Sequence, residues 1–312
     1  METKKKSLLQ WFGITLRGMA MGAADVVPGV SGGTIAFITG IYEELISSLD
    51  AINFAAIKTL KRDGVKAFWQ QVNGNFFVAL FLGVAISVFS LAKLVTFLLV
   101  SYPVLLWSFF FGLVLASFIV VLKTVKEWNV KTIVALLVGA VIAGWISLME
   151  STADGEALWY ILLSGAIAVC AMILPGISGA FILVLLGSYN RIINGIKDLD
   201  FVVIALFGIG CVIGLLSFSK VLKYMFTHYK ALVLALLSGF LLGSLLKIWP
   251  WKNRVGDTPI VVHSDGREDY MMTNVLPHAF EGNPQLSYTI IMAVVGLLLV
   301  LVLERFSPKG NH

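Results

Sequence analysis

The residues best suited to chemistry lie in DVVPGVSGGT, residues 25–34, inside otherwise apolar sequence. An acid, Asp25, is followed there by a proline, three glycines and two hydroxyl side chains. Glycines permit backbone turns that are closed to other residues, and Ser31 or Thr34 can cap a helix that begins at this point. The free N–H groups and the positive dipole end of such a helix favour an anion. The stretch therefore predicts a binding site for a negatively charged group.

The motif occurs twice in the chain. VPGVSGGTIAFITGIYEELI (27–46) aligns without gaps on LPGISGAFILVLLGSYNRII (174–193). The copies are not equal, because Ala180 stands for Gly33 and Met172 stands for Asp25. Two such helix starts that point at one cavity predict a shared anion site. We assign to it Gly29, Ser31, Gly32, Gly33 and Thr34 of the first copy, and Gly176, Ser178 and Gly179 of the second.

Four charged side chains, Arg17, Asp25, Lys93 and Lys220, lie within apolar segments. A charge at the centre of a bilayer costs at least ~2.5–3.5 kcal/mol, so such residues are functional candidates. The planar fork of Arg17 suits phosphate, and it could pair with Asp25 directly or through water. The alternative for each lysine is that it reaches the lipid headgroups and does nothing more. We assign all four residues to the anion site.

The composition indicates an integral membrane protein. Hydrophobic residues make up 58% of the chain and charged residues 13%, with a mean hydropathy of +0.91, whereas soluble domains carry about 25% charged residues. Cys170 and Cys211 both lie in apolar runs, and the four histidines are scattered. We therefore predict no disulfide, no metal site, no cofactor and no nucleic-acid partner.

Six stretches are long enough to span a hydrocarbon core of ~30 Å, which takes ~20 residues. They are 76–100, 104–122, 131–149, 201–226, 231–248 and 287–304. Two further apolar regions, 11–48 and 157–193, are each broken by Pro-Gly and small residues. Their arms are 11–24, 34–46, 157–173 and 180–193. Most of these would stop short of the far side, so we predict helical hairpins that dip into the membrane, or pairs of short tilted helices. Segment 50–72 is predicted as a basic, amphipathic surface segment, and 249–286 as a large polar loop.

The repeat extends beyond the motif and predicts two halves, 1–150 and 151–312. Further matched positions, first half then second, are Gly18/Gly165, Gly83/Gly210, Ser90/Ser217, Lys93/Lys220, Tyr102/Tyr229 and Gly112/Gly239, and TIVALLVG resembles TIIMAVVG. Each half is then one hairpin followed by three spanning helices. Because three crossings separate the hairpins, the second half is upside down relative to the first.

The predicted fold is therefore an all-α polytopic membrane protein with an inverted repeat, in which each half is a re-entrant hairpin plus three transmembrane helices. Inverted repeats with broken helices that meet near the midplane are typical of alternating-access transporters. The alternative is that Pro-Gly merely kinks two transmembrane helices, whose small residues allow close packing. The second copy of the motif, in inverted order, favours the transporter.

The distribution of lysine and arginine predicts the orientation. Most of them fall on one side of the membrane if each hairpin returns to its own face, namely those near the N-terminus, in 58–66, in 123–131, in 223–230 and near the C-terminus. Basic loops face the cytoplasm. Both termini are then predicted inside, and the loop 249–286 outside.

The sequence GAADVVPGVSGGTIAFITGIYEEL, with its second copy LPGISGAFILVLLGSY, resembles the PopT-type polyprenyl-phosphate translocases. The resemblance implies transport of undecaprenyl phosphate in the cytoplasmic membrane of a bacterium. This carrier lipid is left in the outer leaflet after cell-wall polymers are assembled, and its phosphate must return to the inner leaflet. Coupling to protons or to the membrane potential stays open, as does the oligomeric state. The family motif maps onto Asp25, Pro28, Gly29, Ser31, Gly32, Gly33 and Thr34, and onto Pro175, Gly176, Ser178 and Gly179.

Two other functions stay open from the residues. Membrane phosphatases that act on undecaprenyl pyrophosphate also have inverted hairpins and a Pro-Gly-x-Ser motif, but their serine is followed by arginine. Here Gly32 and Gly179 follow the serines, so a nucleophile would lack a partner base and a phosphate clamp. We accordingly assign no catalytic residue. The third function is a small-anion channel or carrier, which would have a water-lined pore without a lateral opening.

Overall fold

The computed structural model of the protein describes residues 6–25, 30–149, 157–262 and 268–306. The helices in these ranges are α1 Leu8–Asp25, α2 Gly32–Ile38, α3 Tyr42–Asp50, α4 Phe54–Gln71, α5 Gly74–Ser101, α6 Pro103–Thr124, α7 Val130–Leu148, α8 Leu158–Ile173, α9 Gly179–Leu185, α10 Tyr189–Lys197, α11 Phe201–His228, α12 Lys230–Ser244 and α13 Leu286–Phe306. Segment 249–286 is not a plain loop, because β1 Lys252–Val262 pairs antiparallel with β2 Glu268–Asn274. The all-α expectation is corrected to that extent.

The described chain is a polytopic helical membrane protein. Five of its helices, α5, α6, α7, α11 and α13, are long and apolar enough to cross a bilayer. The predicted sixth span, 231–248, is shorter than expected, because α12 has 15 residues and ends at Ser244. After it the amides of Leu245, Leu246 and Lys247 each bond the carbonyl three residues earlier, the tighter pattern with which helices end.

The first hairpin enters and leaves at one end of the bundle. Helix α1 runs parallel to α5, with Gly18 against Leu80 and Gly22 against Val84 and Ser87, so α1 ends at mid-length of α5. Short α2 follows the break, and α3 leads the chain back. Lys6, just before α1, is bonded to Glu44 of α3. We call this end, where α4 precedes α5, the α4 side.

The second hairpin enters at the opposite end. Helix α8 runs parallel to α11, with Gly210 against Leu162 and Gly214 against Ala166. Helix α11 ends one residue before α12, and α12 lies against Glu43 of the first hairpin through the Lys230 ammonium, at 2.9 Å. Helix α11 therefore ends on the α4 side, and α8 begins on the other. We call that other end, which carries β1 and β2, the β side.

Each hairpin contains a second break that a glycine permits. The axes of α9 and α10 are bent by 109° at this break. Gly40 and Gly187, at matched positions of the repeat, have positive φ values of 75° and 65°, a left-handed conformation that other residues rarely adopt. The arms predicted as 34–46 and 180–193 are thus each two short helices.

Matched glycines mark the helix crossings in both halves. A side chain on Gly83 would collide with the Thr15 carbonyl where α1 crosses α5, and one on Gly210 would collide with the Leu162 carbonyl where α8 crosses α11. The same holds for Gly112 where α6 meets α13, and for Gly239 where α12 meets α7. Small residues at such sites allow backbones to approach closely in a membrane.

Replacing Gly210 by alanine should destabilise the bundle, because the new methyl group has no room beside the Leu162 backbone. We expect a loss of about 1–3 kcal/mol, the usual cost of overpacking, seen as a lower thermal-unfolding midpoint in detergent. Gly208→Ala is the matched control, since nothing lies within 4 Å of a Cβ built there. Equal midpoints for the two variants would show that the crossing is not tight.

Candidate functional site

The two broken loops meet inside the bundle. We call residues 25–34 the first elbow and residues 172–181 the second elbow. The Ser31 hydroxyl donates to the backbone carbonyl oxygens of Met172, at 3.0 Å, and Leu174, at 3.3 Å. In the other direction, the Gly176 amide donates to the Thr34 hydroxyl at 2.9 Å. The polar side chains predicted for anion binding thus join the two halves of the chain.

The contact between the elbows is close as well as polar. A Cβ built on Gly33 would lie 2.5 Å from the carbonyl oxygen of Ile173, so any side chain there would push the elbows apart. Ser31, Gly32 and Thr34 are buried along with it. Glycine at position 33 is therefore explained by the backbone of the second elbow, which crosses directly over it.

The N-terminus of α2 is already occupied by an anion of the protein itself. The Asp25 carboxylate accepts a hydrogen bond from the Gly32 amide at 2.7 Å, and the Ser31 hydroxyl accepts one from the Gly33 amide at 3.1 Å. The sequence predicted free N–H groups at this point, and the structure gives them protein partners. A phosphate that binds here would have to exchange with Asp25.

The second elbow is capped more loosely. Ser178 is its N-cap, and its hydroxyl accepts from the Phe181 amide at 3.4 Å. Met172, at the position that matches Asp25, cannot supply a carboxylate. Gly176 has a φ of 85° and lies against α12, since a Cβ there would be 2.8 Å from the Phe240 carbonyl oxygen. Gly179 packs in the same way on α8, because a Cβ there would lie 2.6 Å from the Ala168 carbonyl oxygen.

Among the described residues, none of the predicted cations is hydrogen-bonded or ion-paired to an elbow. Half-buried Arg17 lies close enough to Glu44 for charge attraction, while Asp25 bonds Gly32. Lys93 and Lys220 are exposed on α5 and α11. Their role in substrate binding stays a prediction. Gly29 and Pro28 of the first elbow lie outside the described residues.

Sequence reasoning missed two lysines near the second elbow. The Lys247 ammonium lies 3.5 Å from the ring centre of Phe181 in α9, and the Lys252 ammonium lies 4.1 Å from that of Trp107 in α6. The available signal was KIWPWK, residues 247–252, in which two lysines flank two tryptophans. The predicted span 231–248 and the predicted loop 249–286 divided this segment between them.

A family model described as undecaprenyl phosphate translocase-like matches residues 21–262, which include both elbows. The chain belongs to this family. Within the undecaprenyl phosphate translocase-like family, a Vibrio cholerae protein named polyprenyl-phosphate transporter is 42% identical over 299 residues, which cover 94% of this chain and 96% of that protein. A Staphylococcus aureus protein of the same name is 31% identical over 259 residues, 77% of this chain and 87% of that protein. No solved structure matches the chain significantly.

Ser31→Ala should destabilise the protein more than Ser178→Ala. The first change removes the donor to Met172 and Leu174 and the cap of α2, so polar groups where the elbows meet each lose a hydrogen-bond partner, at about 1–3 kcal/mol. The second change removes one capping hydrogen bond, which is long at 3.4 Å and contributes under about 1 kcal/mol. Thermal unfolding of both purified variants measures the difference. Equal losses would contradict the asymmetry between the elbows.

Proposed function

We propose that this protein carries undecaprenyl phosphate from the outer to the inner leaflet of the bacterial cytoplasmic membrane, so that the carrier lipid is reused in cell-wall polymer synthesis. The observation that carries the proposal is the meeting of two polar elbows inside the bundle of a chain that belongs to the undecaprenyl phosphate translocase-like family. Irregular polar backbone is tolerated at membrane depth where it is buried in protein or lines a cavity. Both relatives described above carry the name polyprenyl-phosphate transporter.

The matched crossings support an inverted repeat as the framework of transport. The pair α1 and α5 corresponds to α8 and α11, and each pair crosses at matched glycines, Gly83 and Gly210. Helix α6 packs on α13 while its repeat mate α12 packs on α7, so the halves exchange partners as a two-fold axis requires. The hairpins enter from the α4 side and the β side respectively. Such a design lets one site be exposed to either side in turn.

Contacts on the α4 side support a state closed at that end. The Lys230 ammonium pairs with Glu43 at 2.9 Å, and the Lys223 ammonium donates to the Ser47 hydroxyl at 2.7 Å. Both contacts tie α3 of the first hairpin to the end of α11 and the start of α12. On the β side, the corresponding helices α10 and α5 are not among the closely packed pairs of the described residues. With the β side outside, as the charges predict, the site would face the outer leaflet.

In the proposed cycle, the Asp25 carboxylate occupies the phosphate site of the first elbow while no substrate is bound. The lipid phosphate approaches from the β side, displaces the Asp25 carboxylate from the Gly32 amide and binds the first elbow. The tail stays in the lipid, so the path must open sideways. Separation of α3 from α11 then releases the phosphate past Arg17 and Lys6 to the α4 side. Whether protons or the membrane potential drive the cycle is decided by assays at several pH values and imposed potentials.

Vesicles that contain the purified protein should move labelled polyprenyl phosphate between leaflets. Arg17→Ala should slow this movement about tenfold or more, since a charge-assisted contact contributes about 1.5–3 kcal/mol. Arg62→Ala is the control, because Arg62 is exposed on α4. Movement no faster than in protein-free vesicles at any pH would contradict the proposed function. Release of inorganic phosphate would favour a phosphatase instead, and an unchanged Arg17→Ala rate would remove Arg17 from the path.

A further inference from the structure

Two lysines meet at the β side of the bundle, in the segment that joins α12 to β1. The Lys252 ammonium donates to the Lys247 carbonyl oxygen and lies over the Trp107 ring, one turn into α6. The Lys247 ammonium lies over the ring of Phe181. Phe181 is three residues past Ser178, the N-cap of the second elbow. The two lysines thus contact the first turns of α6 and the second elbow.

Aromatic side chains hold this segment in place. The Trp249 indole N–H donates to the Val275 carbonyl oxygen at 2.8 Å, and the Trp251 indole N–H donates to the Pro284 carbonyl oxygen at 3.0 Å. The two indole rings contact each other edge to face, and Trp249 also contacts Phe111 of α6. Lys247 and Lys252 are therefore carried by a fixed backbone rather than by a free loop.

The electrostatics of the pair favour an anion. Burial and the neighbouring positive charge of Lys247 lower the pKa of Lys252 to about 7. None of the ion pairs of the described residues gives Lys252 a carboxylate partner. The neighbouring elements α6 and α9 present Trp107 and Phe181, which carry no charge. The Lys252 ammonium lies beside a second positive charge and has no carboxylate partner among the described residues, so an anion that binds next to it would stabilise its charged form.

We propose that Lys247 and Lys252 form a capture site for the phosphate monoester headgroup of the lipid substrate at the β side of the bundle. The proposal rests on the proposed function and adds to it the first contact of the substrate. Two ammonium groups suit the two negative charges of a phosphate monoester, and the surrounding rings provide an apolar wall for the first part of the tail. From there the headgroup moves to the second elbow, where the Lys247 ammonium already contacts the Phe181 ring.

Binding to the purified full-length protein in detergent tests the capture site. The ligands are a polyprenyl phosphate, the corresponding polyprenol and inorganic phosphate. Lys247→Gln combined with Lys252→Gln should raise the Kd for the polyprenyl phosphate about tenfold or more, through loss of charge-assisted hydrogen bonds. Binding of the polyprenol should not change. Lys197→Gln is the matched control, because it removes one exposed lysine of α10 on the same side and should leave the Kd within about twofold.

A second variant separates charge from folding. Lys252→Arg keeps a positive charge at pH 8, where Lys252 is mostly neutral. This variant should therefore bind the polyprenyl phosphate more tightly than the wild type at pH 8, and about equally at pH 6. Because both proteins meet the same ligand, titration of the phosphate itself cancels from the ratio of their Kd values. The same ratio at both pH values would contradict a titrating Lys252 in the site.

The outcomes distinguish the capture site from the proposed function. A wild type that binds no polyprenyl phosphate would overturn the function itself. A wild type that binds it, together with a folded double variant that binds it equally well, would overturn only the capture site. If the double variant lost polyprenol binding as much as polyprenyl phosphate binding, the lysines would maintain the fold rather than bind the phosphate. Inorganic phosphate bound as tightly as the lipid would assign the pair to free phosphate.

Discussion

The structure depends on one reciprocal interaction, in which the hydroxyl groups of the first elbow bind the backbone of the second. Backbone groups away from water need partners, and an elbow cannot satisfy all of its own. Ser31 bonds the carbonyl groups of Met172 and Leu174, and Thr34 bonds the amide of Gly176. The two hairpins enter the bundle from its two ends, and these bonds join them.

That interaction has a consequence for binding. The helix start that suits an anion already holds the Asp25 carboxylate, so a phosphate that binds there, as we propose, would exchange with that carboxylate. The second elbow has Met172 at the matched position and lacks this occupant. Both elbows thus lead into a helix capped by serine but differ in charge, which gives the proposed path a direction from one to the other. The lysines at positions 247 and 252 lie on the side of the elbow without the acid.

The sequence predicted the elements that local chemistry dictates. Pro-Gly and serine within apolar runs disfavour a continuous helix, and their repetition predicted both elbows; the helix that each serine caps begins directly after it. The glycines at matched positions, such as Gly83 and Gly210, were visible in the repeat. Their contacts with Thr15 and Leu162 required the structure.

Other features depend on contacts between distant parts of the chain and were missed for that reason. Ser31 and its acceptor Met172 are 141 residues apart, and no local pattern reveals that the hydroxyl is taken. The segment after α12 is likewise held by distant contacts, because the Trp249 and Trp251 indoles donate to carbonyl oxygens 26 and 33 residues further along the chain. The contacts of Lys252 with the Lys247 carbonyl oxygen and the Trp107 ring likewise required the structure.

The most direct test of this account is an experimental structure of the protein in a lipid nanodisc with bound polyprenyl phosphate. The account predicts phosphate density at the first elbow, within hydrogen-bond distance of the Gly32 amide, with the Asp25 carboxylate moved away from it. A phosphate bound elsewhere, with the bonds from Asp25 to Gly32 and from Ser31 to Met172 both intact, would contradict the central claim.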